Sequence, residues 1–419
     1  MKEDLASNAK KIVISVMVLI VFVVPSISFA KNKNDLVSSY IKAVYNRYSK
    51  HFDKNGWVYS QPAYGILKKK PTSAREWLMF ASYYKYRAAN NAISAKKIID
   101  AINKGYSYLN KYSKSPQSFE ESIAYFLSWR VTKESVANRI DKEKIFRKMR
   151  NSLFKKVKVK DTENRALIAA VIDSYLADQL FKTKQITKKE RAYLLDKNRK
   201  KLNRGIKECV GDDYWYLEGD QKTFSAHYHT LSAYMLMFYG DYFNEKKYLK
   251  ISKKMTENMR KISFSNGFVE ARMGMRPIGS GAQTYLMLGL LNKGFDYSDY
   301  SVYLNFARKG FFTDKNHRDR LEFHSTIKNT KPNFHDDIGF SLVAEMSLIN
   351  KEIRNTKINA RVKKLKNTLG NYRDNRFNIK NKGSLVIINN KEYKLLPNGF
   401  SSEVRFLGRG TNTYFEPKD

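Results

Sequence analysis

The chain has very little cysteine and little acidic charge for its size. Its 419 residues include one cysteine, Cys209, so no disulfide can form within the chain and stability must come from packing. Cys209 ends a predicted helix with nothing nearby to activate a thiol, which favours a structural role. There are 40 Asp and Glu against 78 Lys and Arg, and the resulting net charge of +38 attracts polyanions.

The chain also lacks the usual nucleotide-binding and nucleophile motifs. It has no P-loop, no dinucleotide fingerprint and no serine-elbow motif, and no cofactor is therefore predicted. His227, His229, His324 and residues 335–337 are metal-ligand types. On a helix, however, the His-x-His spacing splays the two imidazoles, and Asp residues at a helix start are favoured as caps. No metal is predicted.

No apolar run near the N-terminus is long enough to span a membrane. Two lysines precede thirteen apolar residues, 12–24, whereas a spanning helix needs about 20. Ser28 and Ala30 then supply small residues at cleavage positions. Residues 1–30 are predicted to be a cleaved signal peptide, and the mature protein periplasmic or secreted. An uncleaved inner-membrane anchor is the alternative.

The predicted export decides which polyanion the basic charge would meet. Export argues against nucleic acid and favours an anionic polysaccharide, with peripheral contact to an anionic membrane surface as a further partner. The lysines are spread along the chain instead of clustering, so a merely solvated surface is the competing interpretation. The oligomeric state is not determined by the sequence.

Most of the chain reads as amphipathic helices joined by short polar loops. No alternation of strands and helices is present, which predicts an all-α fold. The clearest helical segments are residues 75–87, 95–112, 119–129, 165–180, 224–238 and 337–349.

A weak repeat favours one particular helical architecture. Trp57, Trp215 and Phe268 each lie in a turn followed by an aromatic run and a polar residue, at separations of 158 and 53 residues. A period near 50 corresponds to two helices and two loops. Residues 31–372 are thus predicted to form an (α/α) toroid of about six helical hairpins, with the aromatic loops on one rim. An open helical solenoid is the alternative.

The last segment, residues 373–419, has a different pattern. Residues 383–388 and 391–396 are predicted to form a β-hairpin around an Asn-Asn turn, and residues 402–407 a third strand. These strands are too few for an independent domain, so a small sheet packed on the toroid is expected.

The strongest functional signal is an aromatic and histidine-rich block, residues 213–234. Aromatic faces stack on sugar rings, while carboxylates and imidazoles move protons, so the block predicts a carbohydrate site. On a helix, His227 and Tyr234 share one face and His229 lies about 200° away. The predicted substrate-binding residues are Trp57, Tyr214, Trp215, Tyr216, Asp220, Tyr228, His229, Glu270, Arg272, Arg276 and His324.

The stretch Phe224-x-x-His227, followed by Tyr234 and Tyr239-Gly240, resembles the toroid motif of polysaccharide lyases of the alginate-lyase and heparinase type. The resemblance implies cleavage of a uronic-acid polymer by β-elimination. It implies that Asn164 neutralises the substrate carboxylate, that His227 removes the neighbouring proton and that Tyr234 protonates the leaving oxygen.

Two other functions fit the same residues. A glycoside hydrolase needs two carboxylates roughly 5–10 Å apart, and Glu218 and Glu270 occupy corresponding places in consecutive repeats, with Asp220 nearby. The third interpretation is a non-catalytic glycan-binding or polysaccharide-assembly protein, which would keep the aromatic rim without the acid and base.

The signal-peptide assignment makes the first testable prediction. If cleavage follows Ala30, N-terminal sequencing of the exported protein should begin at Lys31. Exported material that begins at Met1 would instead identify the apolar run as a retained anchor.

Overall fold

The computed structural model describes the middle of the chain and a few isolated segments. The described residues are 100, 102–103, 119–134, 139–154, 164–218, 223–261, 263, 282–304, 307, 342–343, 345–347, 349, 380–382, 385–388, 391–394 and 416–417.

The helices of this region alternate between an inner and an outer layer. The inner helices α1, α3, α5 and α7 pack against one another in succession, and the outer helices α2, α4 and α6 each pack on the inner helix before them. Their bounds are Phe119–Glu134 for α1, Arg139–Phe154 for α2, Asn164–Lys182 for α3, Lys188–Cys209 for α4, Ala226–Phe243 for α5, Lys246–Lys261 for α6 and Ala282–Gly294 for α7.

The composition of the inner helices explains why they lie inside. Residues 166–180 of α3, 229–240 of α5 and 284–292 of α7 are buried without interruption. A helix that is apolar on all sides is stable only when protein surrounds it. Because these three helices have no face for solvent, a second layer of helices must cover them.

The outer helices provide that cover through one apolar stripe each. In α6 the stripe includes Tyr248, Met255 and Met259, while the lysines between them face solvent. α4 begins at a capping box, in which Thr187 accepts from the Glu190 N–H and the Glu190 carboxylate accepts from the Thr187 N–H. The strongly polar α4 and α6 are thus held by their inward stripes, and α4 also by its cap.

The inner helices run parallel, because their corresponding ends meet. The Lys133 ammonium in the last turn of α1 donates to the Gln179 side chain in the last turn of α3 at 3.0 Å, and the His227 Nδ1 in the first turn of α5 lies 3.0 Å from the Thr284 hydroxyl in the first turn of α7. The Tyr175 ring on α3 contacts the Phe126 ring on α1 at 5.5 Å and the Phe238 ring on α5 at 5.8 Å. Near the ends of α5 and α7, a Cβ on Gly294 would lie 2.7 Å from the Met237 sulfur. The inner helices therefore begin at the same end of the assembly, which we name the N-terminal rim.

Contacts between distant parts of the chain close the layers into a ring. The Arg130 Nε on α1 lies 3.2 Å from a carboxylate oxygen of Glu345, whose side chain is 1% exposed. The Tyr234 hydroxyl on α5 donates to the Val343 carbonyl at 3.3 Å. In an open solenoid each repeat touches only its neighbours, so these contacts exclude that alternative.

A charged network ties three helices together at the opposite end. Asp178 on α3 accepts from Arg191 on α4 and from the Tyr242 hydroxyl on α5, and pairs with Lys182 at 2.7 Å. Burial alone would raise the pKa of Asp178, but the hydrogen bonds from Lys182, Tyr242 and Arg191 outweigh it, and the pKa lies below its ordinary value. The network therefore stabilises the packing of α3, α4 and α5 at this end.

The strands agree with the predicted C-terminal hairpin. β4, Leu385–Ile388, pairs antiparallel with β5, Lys391–Lys394, and Ile388 is the partner of Lys391. β3, Lys380–Lys382, and β6, Glu416–Pro417, flank them, whereas the predicted strand 402–407 lies outside the described residues.

Several predicted helix boundaries were wrong, since α1 and α5 each continue five residues beyond the predicted ends at 129 and 238. The helix expected from residue 224 begins at Ala226, because Phe224 belongs to β2, Thr223–Phe224, which pairs with β1, Leu217–Glu218. The predicted helices 119–129 and 165–180 are confirmed as parts of α1 and α3. Within the described segments, no helix combines the length and apolarity needed to cross a membrane.

The tight α5–α6 turn gives a stability prediction. A Cβ on Gly240 would lie 2.8 Å from the Leu249 side chain and 2.9 Å from its backbone nitrogen. Since backbone must move, we expect Gly240→Ala to lower the free energy of unfolding by about 1–3 kcal/mol in urea titrations. Gly211→Ala is the control, because its Cβ would meet only the exposed Asp213 side chain. Equal stability of the two variants would contradict the described turn.

Candidate functional site

The aromatic segment before α5 forms a short, strained turn, the rim loop, residues 211–216. A bridge between Val210 and Tyr216 closes it, and the Gly211 N–H donates to the Trp215 carbonyl at 3.1 Å. Tyr214 has a φ of 64°, a left-handed conformation that is uncommon for a bulky side chain. Such strain persists only where the surroundings hold it, and it clusters at functional sites.

Two side chains hold the rim loop on the helices. The His229 Nδ1 accepts from the Tyr216 N–H at 3.0 Å, and its Nε2–H donates to the Met255 carbonyl at 2.9 Å. The Asn258 amide on α6 donates to the Asp213 carbonyl at 2.7 Å. The Trp215 ring packs 5.2 Å from the His229 ring. The loop is therefore fixed to both α5 and α6.

His229 is a structural residue, which replaces its predicted role in substrate binding. It is fully buried, and burial lowers its pKa from 6.5 to about 4, so the ring is neutral at neutral pH. Both ring nitrogens are engaged with the backbone. Tyr216 is also buried, at 1% exposure, and its predicted sugar contact is replaced by a packing role. Tyr214 and Trp215 remain half-buried on the loop.

His227 occupies a different position, in the first turn of α5 at the N-terminal rim. Its Nδ1 lies 3.0 Å from the Thr284 hydroxyl on α7, and its ring lies 5.3 Å from that of Tyr228. Both His227 and Tyr228 are half-buried. The prediction that the two histidines face different ways is confirmed, since His227 contacts α7 and His229 contacts α6.

The structure places Tyr234 in the core, away from the rim. Its side chain is fully buried, its hydroxyl donates to the Val343 carbonyl, and burial raises its pKa well above the ordinary value. A buried, weakly acidic hydroxyl that bonds the backbone does not support the predicted role as proton donor to a leaving oxygen. Tyr234 instead contributes to closing the ring.

Two further predicted site residues lie at the ends of a helix and a strand. Asn164 is the first residue of α3 and Glu218 is the last of β1, but the description covers only their backbones. The residues outside the described part of the chain are Trp57, Asp220, Glu270, Arg272, Arg276 and His324.

Three residues that shape the site were not predicted. Ser225 caps α5 by accepting from the Tyr228 N–H, and a serine directly before an apolar helix is a recognisable signal for this. Thr284 and Asn258 had no such signal. Their importance comes from which helices lie next to each other, and a sequence pattern does not contain that information.

The starts of three inner helices at the N-terminal rim favour negative charge, whereas the first turn of α1 contains Glu120 and Glu121. The first turns of α3, α5 and α7 contain no acidic residue, so nothing in those turns offsets the partial positive charge of the helix starts. Half-buried aromatic rings lie beside this region on the rim loop. Among the described residues, no group of three or more His, Cys, Asp or Glu is placed to hold a metal ion.

No protein-family model matches the chain, and no curated protein matches it in sequence. Solved structures do match. An unsaturated glucuronyl hydrolase variant from Streptococcus agalactiae, in complex with dGlcA-GalNAc6S, has a TM-score of 0.51 and 12% identity, over 74% of this chain and 91% of its own. The unsaturated glucuronyl hydrolase of Bacillus sp. GL1, described as responsible for the degradation of glycosaminoglycan, has a TM-score of 0.50 and 10% identity, over 76% and 96%.

These similarities are in fold, at identities too low to transfer an activity. They confirm the predicted (α/α) toroid, which the ring-closing contacts support independently. The predicted lyase type is not confirmed, because the similar structures are hydrolases on this toroid fold.

The buried His229 predicts a pH-dependent stability. Unfolded His229 binds a proton below about pH 6.5, and folded His229 only below about pH 4. Its contribution is therefore complete above 6.5 and is lost as pH falls toward 4, by up to about 3 kcal/mol.

Urea unfolding between pH 4 and 7 checks this. The wild-type protein should lose more stability across the window than His229→Gln, whose side chain does not titrate. His227→Gln is the control, because it makes the same change two residues away and keeps the His229 bonds to Tyr216 and Met255, so it should lose more stability across the window than His229→Gln. Identical curves for wild type and His229→Gln would show that His229 is not buried in its neutral form.

Proposed function

We propose that the protein is a carbohydrate-active enzyme that binds an anionic, uronic-acid-containing glycan at the N-terminal rim and cleaves a glycosidic bond by hydrolysis. The observation that carries the proposal is the rim itself. Three inner helices start there without acidic residues in their first turns, beside an aromatic loop fixed in a strained conformation. Such a surface suits a ligand with carboxylates and sugar-ring faces.

The fold supports the same class of substrate. The similar structure from Streptococcus agalactiae is in complex with dGlcA-GalNAc6S, and the Bacillus enzyme is described as degrading glycosaminoglycan. The chain's own net charge of +38 is of the sign that an anionic polymer requires. The predicted export would place the protein outside the cytoplasm, where such polymers occur.

We favour hydrolysis over β-elimination because Tyr234, the residue that would protonate the leaving oxygen in a lyase, is fully buried. Tyr234 is enclosed in the core, so it does not reach a leaving oxygen at the rim. The hydrolase assignment depends on carboxylates that the sequence places around the rim loop, with Glu218 first among them and Glu270 in the next repeat. In a hydrolase, one carboxyl group would protonate the leaving oxygen and the other would activate water or attack the sugar.

A lyase remains the second candidate because of one observation, the position of His227. Its Nδ1 contact with Thr284 orients the ring, and Nε2 lies on the opposite side of that ring. An oriented imidazole at the rim is a suitable base for removing a proton next to a carboxylate. Asn164 at the start of α3 would then neutralise the substrate carboxylate, together with Arg272 and Arg276, which the sequence predicts to bind substrate.

Product analysis separates the candidates. We expect a uronic-acid oligosaccharide to yield new reducing ends without any gain in ultraviolet absorbance, since hydrolysis creates no double bond. A substrate that already carries an unsaturated terminal uronic acid should lose absorbance if that sugar is released, because the freed sugar opens and its enol tautomerises to a keto acid without the double bond. Growing absorbance with new unsaturated ends would establish the lyase instead. Binding with neither product would identify a non-catalytic glycan-binding protein.

Paired variants test the residues. Under the proposed hydrolysis, Glu218→Gln should lower turnover at least about 100-fold, the usual minimum contribution of general acid or base catalysis. His227→Gln should mainly weaken binding, because its ring would contact substrate without transferring the proton. Loss of turnover in His227→Gln together with full activity in Glu218→Gln would reverse the assignment.

A further inference from the structure

The net positive charge of the described helices lies on the outer layer. The outer helices α2, α4 and α6 together carry 22 Lys and Arg against six Asp and Glu. The inner helices α1, α3, α5 and α7 carry five Lys and Arg against six Asp and Glu. The charge therefore does not serve the rim alone, and a polyanion would meet the outer wall first.

One face of α4 concentrates this charge into a continuous line. Residues at spacings of three and four lie within about 80° of arc and extend over about 27 Å. We call this set the α4 stripe: Lys189, Tyr193, Lys197, Lys200, Arg204 and Lys207. All but Lys197 are exposed, and the far side of the helix, which includes Leu194 and Leu202, is buried.

Tyr193 adds an exposed aromatic ring to the basic α4 stripe. Its side chain is 58% exposed, and among the described residues Tyr193 is the one large hydrophobic side chain that is exposed. Its ring is stacked parallel to the Phe154 ring on α2, with centroids 6.4 Å apart, and the Arg150 guanidinium lies 5.4 Å from the Phe154 centroid. An ordered aromatic ring is thus presented to solvent among cations.

The carboxylates near the stripe do not cancel its charge. Lys200 pairs with Asp196 at 2.7 Å and Arg204 with Glu208 at 3.1 Å. Surface ion pairs of this kind are weak and screened by salt, so their cations can exchange partners with a bound polymer. The stripe has five cations against these two anions.

We propose that the α4 stripe is a second binding site, on the outer wall, for a strand of acidic polysaccharide. The cations contact carboxylate or sulfate groups along the strand, and the Tyr193 ring packs on a sugar face. The choice of glycan as occupant rests on the proposed function, while the existence of a polyanion site rests on the charge and geometry of α4. The site holds the polymer near the enzyme and takes no part in cleavage.

The same features argue against an anionic membrane as the occupant. A helix that lies in a membrane surface inserts an apolar face between lipids. The apolar face of α4 is turned inward against α3, and Tyr193 is a single ring. The α4 stripe can supply charge and one stacking contact, which suits a linear charged polymer.

Binding of size-defined polygalacturonate to the purified protein, measured over a series of salt concentrations, tests the proposal. Lys189→Gln, Lys200→Gln and Lys207→Gln combined should weaken binding at low salt about tenfold or more and reduce its salt dependence, because three ionic contacts are lost. Tyr193→Ala should weaken binding while leaving the salt dependence unchanged, because stacking is not ionic.

The matched control removes the same charge from a neighbouring outer helix. Lys246, Lys250 and Lys253 are exposed on one face of α6, and no exposed aromatic side chain is described there. Their combined change to Gln should weaken binding less than the α4 change. Equal losses from both triple variants, with no effect of Tyr193→Ala, would mean diffuse attraction and would overturn the proposed site.

Further measurements separate this proposal from the proposed function. Turnover of a short oligosaccharide should be unchanged in the α4 variants, whereas the KM for the polymer should rise. If the α4 variants bind the polymer as tightly as the wild type while the protein turns over short substrates, the proposed binding site on α4 is refuted and the proposed function stands. Polymer binding through the stripe without any cleavage product would refute the enzyme alone. Tighter, stripe-dependent binding of RNA or of anionic lipid vesicles than of polygalacturonate would overturn the glycan assignment.

Discussion

The inner helices α3, α5 and α7 have almost no solvent-exposed face, and the rest of the structure follows from that constraint. Because α3, α5 and α7 are buried along most of their length, they require a covering layer, which α2, α4 and α6 supply. Buried polar groups must then find partners inside the ring, as Arg130 does with Glu345. On the inner helices, groups that can contact a ligand are consequently confined to the helix ends and their loops, and this makes the N-terminal rim the candidate site for cleavage.

The two histidines of α5 show that two nearby residues of one inner helix can have different roles. They are two residues apart, yet His229 holds the rim loop on α6 and is buried, whereas His227 contacts α7 and is half-buried. One stabilises the shape of the site and the other is available to act in it. Lys and Arg are concentrated on the outer helices, while the starts of α3, α5 and α7 carry no acidic residue and attract anions through their dipoles.

The sequence predicted the architecture better than the chemistry. Apolar periodicity and the period near 50 residues were sufficient for the helices and the repeated hairpins, because they report which surface each helix buries. They left the toroid and the open solenoid as alternatives, and the contact between Arg130 and Glu345 decides for the closed ring. They also showed that His227 and His229 diverge. The sequence could not show that Tyr234 points into the core or that Thr284 reaches His227, since both depend on contacts between helices from different repeats. A tyrosine on the same face as a rim histidine can still lie two turns deeper.

Hydrogen–deuterium exchange with a short uronic-acid oligosaccharide tests the location of the site most directly. If the rim binds the glycan, saturating oligosaccharide should slow exchange in residues 211–216 and in the first two turns of α5. Exchange around Asn244, at the opposite end of α5, should not change. Protection confined to that opposite end, or absent from the rim loop at saturation, would contradict the account.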